Sequence, residues 1–164
     1  MNETMHEITS GLYLGDIFAA RNPSLLNDHQ ITHVLTIARG SLGLLSNTLD
    51  ATADGGKAFK HLQIELDDLP DEKLLERLEE GVQFIDSALS PSGDTTEPGK
   101  ILVHCLQGMS RSCSFVVAYL VWKKNISVSQ ALEIVQEKRK KARPNAGFYR
   151  QLQEWERRCR DSTD

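Results

Sequence analysis

Apolar positions in the first part of the chain come in short runs. Leu12–Leu14 and His33–Ile37 each predict a β-strand. Ala58–Ile64 alternates, with Phe59, His61 and Gln63 on one face and Lys60, Leu62 and Ile64 on the other, which predicts a third. Ile101–Val103 is continuously apolar and lies between Gly99 and Gly108, as a strand buried on both faces of a sheet would. Helical spacing takes over elsewhere. Glu72–Leu89 sets Leu74, Leu75, Leu78, Val82, Ile85 and Leu89 on one stripe. Ser112–Lys123 is apolar nearly all round and predicts a central, buried helix. Val128–Lys140 turns Val128, Ala131, Leu132 and Val135 inward, and Gly147–Arg158 carries Phe148, Leu152 and Trp155 at helical spacing.

Strands with helices packed on both faces make an α/β domain. Two stretches inside it read as exposed loops: Gly40–Lys57, rich in Gly, Ser, Asn, Thr and Asp, and Ser90–Gly99, with its prolines and glycines. Neither reads as a linker, so residues 1–164 are expected to form a single domain. The composition, 40% hydrophobic and 26% charged, is that of a globular chain able to bury a core without disulfides. No apolar run approaches a membrane span, and Met1–Glu7 lacks a signal-peptide pattern. The expected setting is the cytoplasm or nucleus, with no membrane association. The net charge of −4 gives an anionic substrate no general attraction, so such a substrate needs a local positive site. Cys105, Cys113 and Cys159 match no zinc spacing, and Cys159 reads as a small buried apolar residue.

The chemistry concentrates in His104-Cys-Leu-Gln-Gly-Met-Ser-Arg-Ser112, between the buried strand and the buried helix. The residues from Cys105 to Arg111 can wrap with their backbone N–H groups pointing inward. With the N-terminus of the following helix they would form an anion cradle of Leu106, Gln107, Gly108, Met109, Ser110 and Arg111. Gly108 permits a conformation a side chain would forbid, and Arg111 offers a planar fork to two phosphate oxygens. An electropositive nest favours ionised sulfur, which makes Cys105 a nucleophile aimed at phosphorus. A cysteine at a strand end is usually packing, and an arginine at a helix start is usually solvated. Their joint occurrence in this order at a strand-to-helix junction is what points to catalysis.

The stretch HCLQGMSRS resembles the HCxxGxxR[ST] signature of cysteine-based protein tyrosine phosphatases, and its S-R-S ending resembles the dual-specificity branch. Ile8–Gly15 looks like that branch's opening strands, Gln30–Leu35 like its next strand, and Arg143–Leu152 like its closing helix. The resemblance implies a central, mostly parallel twisted sheet flanked by helices. It implies a phosphocysteine intermediate, no metal and no cofactor. It also places the general acid in Glu65–Asp71, at Asp68, with Asp67 and Asp71 as alternatives; any of these aspartates can also be read as a helix N-cap. By the same likeness His104 orients the loop, Ser112 hydrogen-bonds the sulfur, and Asn145 buttresses the loop. Ser110 reads as a loop hydrogen bond only. His6, His29, His33 and His61 read as surface or sheet residues. Gln107 departs from the branch's usual small residue and bears on the pocket rim rather than on the catalytic set.

The expected substrates are phosphoproteins bearing phosphotyrosine, phosphoserine or phosphothreonine, and the chain is expected to act as a monomer. A non-protein substrate, such as a phosphoinositide or an RNA 5′ phosphate, should favour lysine or histidine inside the loop. Leu106, Gln107, Met109 and Ser110 are all neutral. The basic run Glu137–Arg143 reads as a solvated helix end favourable to the dipole rather than a nucleic-acid contact. Ser112–Val121 resembles a subgroup whose full-length members carry a C-terminal zinc-binding domain and are linked to ribosome assembly. That leaves open an assembly factor with ribosomal partners and secondary catalysis, of which this chain is a catalytic fragment.

Overall fold

The computed structural model describes residues 3–42, 59–91 and 97–162. The strands are β1 (Met5–Thr9), β2 (Leu12–Gly15), β3 (His33–Ile37), β4 (Lys60–Ile64) and β5 (Ile101–His104). They form one sheet in the order β1-β2-β5-β3-β4. β1 and β2 pair antiparallel, and β2–β5, β5–β3 and β3–β4 pair parallel. The sheet is thus mostly parallel, as expected. β5 lies at its centre, and all four of its residues are buried.

The helices are α1 (Ile17–Ala20), α2 (Pro23–Asp28), α3 (Leu75–Leu89), α4 (Arg111–Lys124), α5 (Val128–Lys138) and α6 (Ala146–Asp161). α3 to α6 cover one face of the sheet over the main core, which includes Leu14, Leu35, Val103, Leu78, Phe115, Val135 and Phe148. Ser112 to Val121 of α4 are all buried, which is why that segment shows no polar face. α1 and α2 cover the other face over Tyr13, Val34 and Leu102.

α1 and α2 are too short to show a helical period, yet their caps are legible in retrospect. Asp16 accepts from the Ala19 N–H, and Asn22 accepts from the Leu25 N–H with Pro23 just inside the helix. α3 starts at Leu75 rather than Glu72: the Glu72 carbonyl accepts from the Leu74 N–H and from the side-chain amide of Gln151, as a turn rather than a helix. The Leu75 N–H is met instead by Gln151 of α6. Residues 43–57 and 92–96, the greater part of the two expected loops, lie outside the described residues.

Candidate active site

β5 and its parallel neighbours end on the same edge, and α4 begins there. In a parallel α/β sheet this edge is where ligands bind. Residues 105–110 join β5 to α4. The conformation of this loop follows from where its carbonyls go. Leu106 C=O accepts from the Ile17 N–H at 3.1 Å, and Met109 C=O accepts from the Arg143 N–H at 2.8 Å. Gln107 C=O and Gly108 C=O accept from Nη2 and Nε of Arg139, at 3.1 and 2.9 Å. Cys105 C=O faces Nδ1 of His104 at 3.2 Å. Each carbonyl is thus held by the surrounding scaffold. A trans peptide directs its N–H opposite to its C=O, and none of the peptides is cis. The N–H groups of Leu106 to Ser110 are therefore aimed away from those partners, toward the concave side of the loop. A concave row of N–H groups is a geometry suited to an anion.

Gly108 takes φ +67°, and a Cβ there would lie 2.6 Å from both Arg139 Nη2 and Gly15 O. Both the dihedral and the space demand glycine. Cys105 is 2% exposed, and its Sγ lies 3.0 Å from Ser112 Oγ on the first turn of α4. Arg111 donates from Nη1 to Leu66 C=O at 3.1 Å, so its guanidinium sits under the Glu65–Asp71 loop. His104 is fully buried, and burial lowers its pKa to about 4, so its imidazole is neutral.

The three candidate acids separate by their partners. Asp67 is paired with Arg39 at 3.0 Å. Asp68 is exposed and accepts from Nδ2 of Asn145 at 2.9 Å. Asp71 is exposed at the end of the same loop. Asn145 meets the Cys105 loop through its backbone N–H, which donates to Ser110 Oγ; its side-chain oxygen caps α6 at the Phe148 N–H, and its amide reaches Asp68. Ser110 Oγ ties the loop to the start of α6 by accepting the Asn145 N–H. Gln107 and Leu106 are exposed at the rim.

Two features went unread in the sequence. The run Glu137–Arg143 is not wholly a solvated helix end. α5 stops at Lys138, and Arg139 turns inward at 1% exposure to hold the cradle from behind. Nothing in a row of basic residues distinguishes the one that is buried. His6 and His61 are sheet residues, on β1 and β4, as expected, but their polar partners have no sign in the sequence. His6 accepts from Arg139 through Nδ1, and His61 is joined through Thr36 to His104. These contacts arise between elements remote in sequence.

Fold and cradle together define a cysteine-based phosphatase. Residues 12–158 match the family model of the dual specificity phosphatase catalytic domain. The chain is 40% identical over 150 residues to dual specificity protein phosphatase 1 of Arabidopsis thaliana, covering 92% of this chain and 68% of that protein. It is 39% identical over 149 residues to dual specificity protein phosphatase MPK-4 of Drosophila melanogaster, covering 91% of this chain and 35% of that one. The crystal structure of the Yvh1 phosphatase domain from Chaetomium thermophilum superposes with a TM-score of 0.80 at 37% identity, covering 92% of this chain and 94% of that one. The chain belongs to the dual specificity phosphatase family. It is a cysteine-based protein phosphatase acting on phosphoprotein substrates. No helix among the described residues is long and apolar enough to cross a membrane.

Proposed function

We propose that Cys105 is the nucleophile of this phosphatase and that Asp68 is its general acid and base. The observation that carries the reading is the run of loop carbonyls held outward around a sulfur paired with Ser112. Phosphate oxygens would be met by the inward N–H groups and by the guanidinium of Arg111, which also follow the charge of the transition state. The sulfur forms the P–S bond as the bond to the leaving oxygen breaks, and Asp68 gives that oxygen its proton. Water then attacks phosphorus and passes a proton to Asp68. The P–S bond breaks, phosphate departs, and Ser112 donates a hydrogen bond to the released sulfur. Asn145 holds Asp68 through its amide, and His104 aligns the first peptide of the loop.

Both phosphotyrosine and phosphoserine or phosphothreonine are proposed as substrates. The neutral side chains of Leu106, Gln107, Met109 and Ser110 support a singly phosphorylated residue over a multiply charged headgroup.

Asp68→Asn tests the acid. Turnover of a phosphothreonine peptide, whose alkoxide leaves poorly, should fall by about a hundredfold or more, and turnover of an activated aryl phosphate by far less. Asp67→Asn should leave that dependence on the leaving group unchanged, since Asp67 is engaged by Arg39. Exchange of the two behaviours would move the acid to Asp67; absence of both would move it to Asp71.

Gly147→Ala tests the placement of the acid loop. A Cβ at Gly147 would lie 1.9 Å from the Pro70 carbonyl oxygen, so the loop must shift. A displacement of this kind should cost roughly tenfold to a hundredfold with the phosphothreonine peptide. Tungstate affinity, which reads the Cys105 loop alone, should be retained. Equal loss of both would show that the substitution damages the whole site.

A further inference from the structure

His104 Nδ1 faces the carbonyl oxygen of Cys105, which can only accept, so Nδ1 carries the proton. The neutral ring therefore presents a lone pair at Nε2. Thr36 Oγ1 lies 2.7 Å from that nitrogen and must donate its one hydroxyl proton to it. Thr36 Oγ1 also lies 2.8 Å from Nε2 of His61. With its proton already committed, the hydroxyl can only accept there, so His61 is protonated at Nε2. The direction of every bond is thus determined, from His61 through Thr36 and His104 to the Cys105 carbonyl.

The strands deliver these groups to one another. Thr36 of β3 stands opposite His104 of β5 in the parallel register, and His61 lies two residues before Gln63, the partner of Thr36 on β4. A period of two places all three side chains on one face of the sheet. Thr36 and His104 are completely buried, so either left without its partner is costly.

We propose that Thr36 and His61 are positioning residues for the phosphatase reaction: they fix the tautomer and ring orientation of His104, and through it aim the first N–H of the loop, that of Leu106, into the phosphate cradle. A ring protonated at Nε2 would turn a lone pair toward the Cys105 carbonyl and repel it. The first peptide of the cradle would then be released to rotate. The proposal rests on the cradle being the phosphate site.

The test combines ¹⁵N NMR of histidine-labelled protein with kinetics and tungstate binding. In the wild type, His104 should carry its proton on Nδ1 and His61 on Nε2. Thr36→Val, nearly isosteric, should draw the two His104 nitrogen shifts toward each other and lower kcat/KM for p-nitrophenyl phosphate about tenfold. It should weaken tungstate binding by a similar factor. Thr36→Ser, which restores the hydroxyl, should return all three to within about threefold of wild type. Should Thr36→Val fail to fold, His61→Phe, at a half-buried position on the edge strand, takes its place with an expected loss of at least about threefold. Protonation of wild-type His104 at Nε2 would overturn the proposal. So would a loss below threefold in the folded variant, or a serine variant as impaired as the valine one. A wild type that binds tungstate in the expected tautomer yet hydrolyses no phosphoester would instead count against the reaction assigned above, and the tautomer and tungstate measurements would still decide the role of Thr36.

Discussion

Cys105→Ser is expected to abolish turnover, by at least about a thousandfold in kcat/KM, or ~4 kcal/mol of barrier. A hydroxyl at neutral pH is a far poorer nucleophile than ionised sulfur, and the Ser112 hydroxyl beside Cys105 is no better a substitute. Cys113 is the nearest thiol in sequence. It is fully buried in α4, and burial drives its pKa far up, so it stays a neutral packing group. The substitution should leave the fold unchanged, because the serine hydroxyl can still meet Ser112 Oγ and the site is already closed around a small side chain. A shift in Tm of less than about 4 °C would show this, since that is what about 1 kcal/mol produces in a domain of this size. The variant should still bind tungstate and retain phosphopeptides. Turnover above about a hundredth of wild type in a folded variant would remove the covalent route.

Arg139→Met should be the most damaging change among residues that do not meet substrate. The guanidinium donates to Gln107 C=O, Gly108 C=O and Glu3 C=O, and to Nδ1 of His6. Methionine fills much of the space and meets none of these acceptors. Leaving buried acceptors unmet costs about 1–3 kcal/mol each, so a total loss of about 3–5 kcal/mol is expected. Thermal unfolding should show a fall in Tm of roughly 10 °C or more. The peptides after Gln107 and Gly108 would also lose the restraint that aims the Gly108 and Met109 N–H groups inward, so tungstate affinity and kcat/KM should fall together. Arg139→Lys keeps the charge but cannot span both carbonyls, and should lie between the two. If Tm drops with tungstate affinity intact, Arg139 supports the fold without shaping the cradle.

The two variants probe parts of one site that differ in how far the sequence alone reveals them. The proposed nucleophile is spelled out locally. His104 to Ser112 is contiguous, its chemistry follows from residue types and spacing, and the buried strand and helix on either side are evident from their unbroken apolar character. The long helices are equally plain, because α3, α5 and α6 each bury one stripe. The starts and stops are less so. α3 begins late where Gln151 of α6 takes the Glu72 carbonyl, and α5 ends early where Arg139 turns to the cradle.

What the sequence by itself determined is therefore the class of fold, the identity of the loop and the residue types that can act in it. These depend on periodicity and on neighbours along the chain, which a sequence records directly. The tertiary structure alone decided which way the loop peptides face, through bonds from Ile17, Arg139 and Arg143. It alone separated Asp68, held by Asn145, from Asp67, held by Arg39. It alone joined His61 and Thr36 to His104. Each of these is a hydrogen bond across at least 25 residues of chain. The direction of a peptide and the partner of a carboxylate carry no local signature, because they are set by whichever donor or acceptor the packing of the sheet and helices brings within about 3 Å.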